Sequence, residues 1–97
     1  MSEPHASTRV GPILQSGATA DAIIAAIKEL NDDVEIIDRG AYVRVRVPGR
    51  CVLTRSALEA ELHAAVRLPA DLERVMPAFT GRLTLTENEA LWELGER

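Results

Sequence analysis

The side chains able to do chemistry near neutral pH are few and scattered: two histidines, His5 and His63, and one cysteine, Cys51. Glu59 and His63 stand four apart, which would put them on one helical face, but an isolated pair of this kind is far more often a surface ion pair than an acid–base or ligand pair. His-Glu-x-x-His and Glu-x-x-His are absent, and a lone cysteine supplies neither an internal disulfide nor a four-cysteine zinc site. Ser16, Ser56 and Cys51 have no histidine beside them in sequence, so an activated nucleophile would need a neighbour brought in by the fold. Gly11, Gly17, Gly40, Gly49, Gly81 and Gly95 are isolated turn glycines rather than a phosphate-cradling loop. No catalytic, cofactor-binding or metal-binding residue is assigned, and the chain is expected not to be an enzyme.

The chemistry that does stand out is cationic. From 39 to 58 there are five arginines (Arg39, Arg44, Arg46, Arg50 and Arg55) and no acid, so a chain of net charge −4 with +5 in this band carries −9 elsewhere. A segregated basic band on an acidic protein can steer and orient a partner, although a solvated strand face is the bland alternative. Within the band, 42–47 alternates strictly, with Val43, Val45 and Val47 on one face of an extended strand and Tyr42, Arg44 and Arg46 on the other. Burying the three valines contributes roughly 1.5–3 kcal/mol each, which makes their face a core floor and turns the tyrosine and arginines outward.

The elements that must hold this strand are legible in order. The stretch 1–9 is polar and aperiodic and is expected to be a tail, leaving 10–97 as one domain with one core. A first strand is expected at 10–15, with Pro12 confining it to a sheet edge or to its own beginning. Thr19 is placed as N-cap of a helix over 20–30 whose apolar stripe is Ile23, Ile24, Ile27 and Leu30. Strand 34–38 and strand 42–47 should form a hairpin about Arg39, Gly40 and Ala41, and Pro48-Gly49 should return the chain into a short strand at 51–53. Thr54 caps a helix over 55–66 with Leu58, Leu62, Ala65 and Val66 inward. Pro69 opens a short third helix with Leu72, Val75, Met76 and Phe79 buried, ended or kinked by Pro77. A final hairpin pairs 82–86 with 90–94 about Glu87, Asn88 and Glu89, with Leu83 and Leu85 inward and Trp92 as anchor. The order β, α, β, β, short β, α, α, β, β predicts an α/β (α+β) two-layer sandwich, with about three helices over a mainly antiparallel sheet.

Composition narrows the partners. Tyr42, Phe79 and Trp92 are the only aromatics, so there is no stacking platform for bases, and nucleic acid is disfavoured. The longest apolar run, 22–27, is too short to span a membrane, and nothing resembles a signal peptide, so a cytoplasmic protein is expected. Cys51 is read as a small buried hydrophobe.

Four motifs in series carry a resemblance: Val10-Gly11-Pro12-Ile13; Asp38-Arg39 followed by Ala41-Tyr42-Val43-Arg44; Leu53-Thr54-Arg55 leading into an acidic helix; and Phe79-Thr80-Gly81 before a final hairpin. Together they resemble the small coupling, effector or regulatory proteins of soluble diiron monooxygenases, the MmoB/DmpM family, and among them the effectors of toluene and alkene monooxygenases. The resemblance runs from about Val10 to Leu94. It implies a cofactor-free protein that docks on a separate diiron hydroxylase, works with a reductase and, in the toluene branch, a Rieske-type ferredoxin, and couples electron delivery, oxygen activation and substrate access. The docking face is then expected to include Arg39, Tyr42, Arg44, Arg46 and Arg55, with Val10, Gly11 and Pro12 shaping an adjoining edge. Two other readings compete: a small-molecule-sensing regulatory domain, and a weak nucleic-acid-binding module using the arginine band.

Overall fold

The computed structural model describes residues 8–95, and its elements run β1 (Arg9–Gln15), α1 (Ala18–Leu30), β2 (Glu35–Asp38), β3 (Tyr42–Pro48), β4 (Arg50–Thr54), α2 (Arg55–Leu62), α3 (Ala70–Glu73), β5 (Ala78–Thr80), β6 (Arg82–Leu85) and β7 (Glu89–Glu93). All strand pairs are antiparallel, and helices and strands share one core, as the pattern predicts. The strands divide between two sheets, one ordered β2-β3-β1-β5 and the other β4-β7-β6. The turn at Pro48–Gly49 carries the chain from the first sheet to the second, and Gly81 carries it from β5 to β6. The expected tail and His5 lie outside the described residues except for its last two positions, where Arg9 already opens β1.

The alternation of β3 holds. Val43, Val45 and Val47 are at most 7% exposed, and they join a core with Val10, Leu14, Ile23, Ile27, Leu53, Leu58, Leu72 and Trp92. The hairpin register sets Asp38 opposite Val43 and Ile37 opposite Arg44. Its turn is held by the Asp38 carboxylate, which accepts the Gly40 N–H at 2.8 Å while Gly40 takes φ +80°. Asn31, at the end of α1, donates to the Ile27 and Val52 carbonyls and accepts the Val52 N–H, all within 2.9 Å, so one amide pins the helix to β4.

Several expectations give way. The first strand is not an edge: β1 lies between β3 and β5. On the β3 side the ladder passes from Val10↔Val47 to Ile13↔Arg44 without pairing Gly11 or Pro12, so Pro12 sits at an interruption of that ladder while it pairs with Phe79 of β5 on the other side. Helix α1 begins at Ala18 with Gly17 as N-cap residue, so Thr19 lies within the first turn and caps nothing. Its buried face is Ala20, Ala22, Ile23, Ala26 and Ile27, and Leu30 is left 40% exposed because the helix ends there. Thr54 does cap α2, accepting the Ala57 N–H at 3.2 Å. The helix stops at Leu62, however, because His63 turns left-handed and the Glu59 carboxylate takes the Val66 N–H, so Ala65 is exposed and only Val66 returns to the core. The third helix is one turn long. Leu72 and Met76 are buried, Val75 is half-buried, and Phe79 is 42% exposed because it belongs to β5, drawn into extended form by pairing with Pro12.

Candidate functional site

Each strand of the first sheet has a core side and an outer side, and register tells which residues share the outer one. Arg44 sits mid-strand with Ile37 on one side and Ile13 on the other, and Ala78 of β5 lies beyond Ile13. One step along is the row Glu35, Arg46, and one step the other way is Tyr42 beside Gln15. Tyr42 is 44% exposed; Ile13, Ile37, Arg44 and Arg46 are half-buried. Neither isoleucine belongs to the core or packs against it, so both present apolar surface outward.

The two arginines of this face differ. Arg46 meets Glu35 at 3.1 Å across the β2–β3 pair. The Arg44 side chain has no hydrogen bond or ion pair among the described residues, and its Nε is shielded from solvent with no acceptor. Arg39 stands in the hairpin turn next to Tyr42, its N–H donating to the Tyr42 carbonyl at 2.9 Å.

The remaining residues singled out in the sequence go elsewhere. Val10 is 1% exposed and Pro12 is fully buried, both facing the core from a central strand, so they offer no adjoining edge to a partner. Gly11 lies between them, where an added Cβ would collide with the Val45 carbonyl; its motif is architecture of the sheet. Arg55 is on the other sheet's side at the start of α2, its backbone N–H held by the Asn88 carbonyl at 2.8 Å and its guanidinium 4.0 Å from Glu59. The acid-free band is therefore continuous in sequence but not in space, since Pro48–Gly49 separates Arg44 and Arg46 from Arg50 and Arg55. What sequence reasoning missed are Ile13 and Ile37. Ile37 was findable, because a turn at 39–41 sets it opposite Arg44, whereas Ile13 needs the pairing of β1 with β3.

Other chemistry is sparse. Glu59 and His63 make no side-chain pair: the Glu59 carboxylate serves Val66 and Arg55. Among the described residues no three His, Cys, Asp or Glu side chains cluster as a metal site. Burial pushes the Cys51 thiol up to about 12, so it is neutral at physiological pH and fills space as a hydrophobe. An open groove of about 360 Å³ lies between Leu30, Asp32, Asp33, Pro48 and Arg50, but the Asn31 amide on its wall is consumed by Ile27 and Val52, and Asp33 by Arg9.

A small mixed domain with an open sheet face carrying Tyr42, Arg44 and Arg46 suits a protein that acts by docking, and comparison with known proteins agrees. The family model described as MmoB/DmpM family matches residues 8–93. The chain belongs to that family. The alkene monooxygenase system effector subunit of Xanthobacter autotrophicus (strain ATCC BAA-1158 / Py2) is 38% identical to this MmoB/DmpM chain over 85 residues, covering 86% of the chain and 83% of that protein. Two solved structures of the phenol hydroxylase–regulatory protein complex contain a chain of the same fold. One matches with a TM-score of 0.79 at 17% identity over 90% of this chain and 98% of that one, the other with 0.76 at 19% identity over 88% and 98%. As an MmoB/DmpM protein with an effector subunit as relative, it has the part of an effector, a component that carries out no oxidation itself.

Proposed function

We propose that this effector docks on the diiron hydroxylase component of a multicomponent hydrocarbon monooxygenase, through the outer face of the β2-β3-β1-β5 sheet, and tunes electron transfer, oxygen activation and substrate access there. The substrate class is an alkene or an aromatic such as toluene, the further components are a reductase and, in the toluene branch, a Rieske-type ferredoxin, and the setting is the cytoplasm. The observation that carries the reading is the 38% identity to an alkene monooxygenase effector over most of both chains. The geometry supports it, because Tyr42, Arg44 and Arg46 share one side of the sheet with Arg39 in the adjoining turn, and tyrosine and arginine are the residues that most often carry interface energy. No helix among the described residues is long and apolar enough to cross a membrane.

Such a role needs no catalytic side chain. A ligand shifts a conformational equilibrium by its differential affinity for the two states, and about 1.4 kcal/mol of difference is a tenfold shift. The test is reconstitution: the purified chain is titrated into a cognate hydroxylase and reductase, and product formed is compared with reduced nicotinamide consumed. Product per electron should rise to a plateau near one effector per hydroxylase active site. A ratio independent of added protein would overturn the proposal.

A further inference from the structure

The outer face holds one side chain whose state in the free protein is incomplete. Arg44 is half-buried between Ile13 and Ile37, its Nε is cut off from solvent without an acceptor, and none of its guanidinium nitrogens is bonded to the described residues. Its terminal nitrogens keep some contact with solvent, since only Nε is both shielded and unpartnered. A guanidinium held this way has lost part of its hydration before any partner arrives. Its neighbour Arg46 shows the ordinary solution to the same problem, a carboxylate supplied across the strand pair by Glu35. At Arg44 the cross-strand positions are both isoleucine, so the fold supplies no acid.

We infer that Arg44 is the anchoring, specificity-determining residue of the docking face, and that its counterpart is a carboxylate on the hydroxylase surface set in an apolar rim that packs on Ile13 and Ile37. This rests on the docking function proposed above. The charge of the site requires an anion, and the flanking isoleucines require that the anion stand among apolar side chains rather than in an acidic patch. Desolvation that ordinarily opposes an interfacial ion pair is partly incurred already in the free protein, and a charge-assisted bond is stronger in such surroundings. Lysine would not substitute, because its ammonium is a strongly hydrated point charge without the planar fork.

The experiment is a titration of the hydroxylase, with its reductase, by wild-type effector and by Arg44→Gln, Arg44→Lys and Arg50→Gln, reading the half-saturating concentration and the plateau. Thermal unfolding of each free protein is recorded alongside. Arg44→Gln should raise the half-saturating concentration about thirtyfold or more. Arg44→Lys should raise it by a smaller factor, and Arg50→Gln, a charge loss on the other sheet, by less than threefold. The midpoint of unfolding of free Arg44→Gln should not fall, because an unpartnered shielded N–H has been removed. Unchanged half-saturation for Arg44→Gln, or the same rise for Arg50→Gln, would overturn the inference while leaving the docking function standing. Failure of the wild-type protein to activate would instead remove the docking function itself. A fall in the unfolding midpoint matching the loss of activation would overturn the inference by making Arg44 structural.

Discussion

Gly11→Ala is expected to cost this domain about 2–6 kcal/mol, a large part of its stability. Gly11 has φ +149°, a conformation L side chains rarely adopt, and a Cβ there would overlap the Val45 carbonyl oxygen and lie 3.0 Å from its carbon. The obstacle is backbone of β3, paired on its other side with β2, so it cannot swing away as a side chain would. Backbone strain of this kind costs about 1–3 kcal/mol and forced overpacking a further 1–3 kcal/mol, against a total of about 5–15 kcal/mol for a domain of this size. Gly40→Ala is the matched control: φ is +80°, but nothing lies within 4 Å of its added Cβ, so only the backbone term of about 1–2 kcal/mol applies. Urea unfolding followed by circular dichroism should show Gly11→Ala losing at least twice as much as Gly40→Ala. Equal losses would mean that β1 and β3 separate easily at this point.

Trp92→Ala should cost about 3–5 kcal/mol, the usual loss when a fully buried large aromatic is truncated. Trp92 is 0% exposed and faces Cys51 and Leu83 across the β4-β7-β6 sheet. Its indole Nε1 is buried without a partner among the described residues, a deficit that costs about 1–3 kcal/mol in the native protein. Trp92→Phe keeps much of the apolar volume and removes the orphan donor, so it should cost less than half of what Trp92→Ala does. Circular dichroism is again the readout, because Trp92 is the chain's only tryptophan and its fluorescence is lost with it. Equal losses for the two variants would show that the retained ring volume counts for little and that what both variants lack, the indole with its N–H, carries the stability.

These two residues also mark where sequence reasoning succeeds and where it stops. Trp92 was legible as an anchor, because a lone indole in an alternating final strand has few places to go, and the same holds for the valine face of β3 and for Thr54 as a cap. Each is decided by neighbours within a few residues. Gly11 and Pro12 were not legible, because their setting depends on the backbone of β3 at Val45 and on β5, which reaches β1 only after nearly seventy residues. That pairing also turned Phe79 from the end of a helix into a strand residue, overriding local periodicity with a tertiary contact. The candidate site divides in the same way. Tyr42, Arg44 and Arg46 follow from alternation alone, while Arg55 falls away because a turn intervenes, and Ile13 enters because a distant strand lies beside β3.

The most direct test of docking through the outer sheet face is hydroxyl-radical footprinting of the effector alone and bound to the hydroxylase. Tyr42, Leu30 and Leu94 start with nearly the same exposure, 44%, 40% and 41%, so each serves as a reference for the others. Tyr42 should lose most of its labelling in the complex while Leu30 and Leu94 keep theirs. Labelling of Tyr42 unchanged in the complex, with protection appearing at Leu30 or Leu94, would place the partner on another surface and contradict the account.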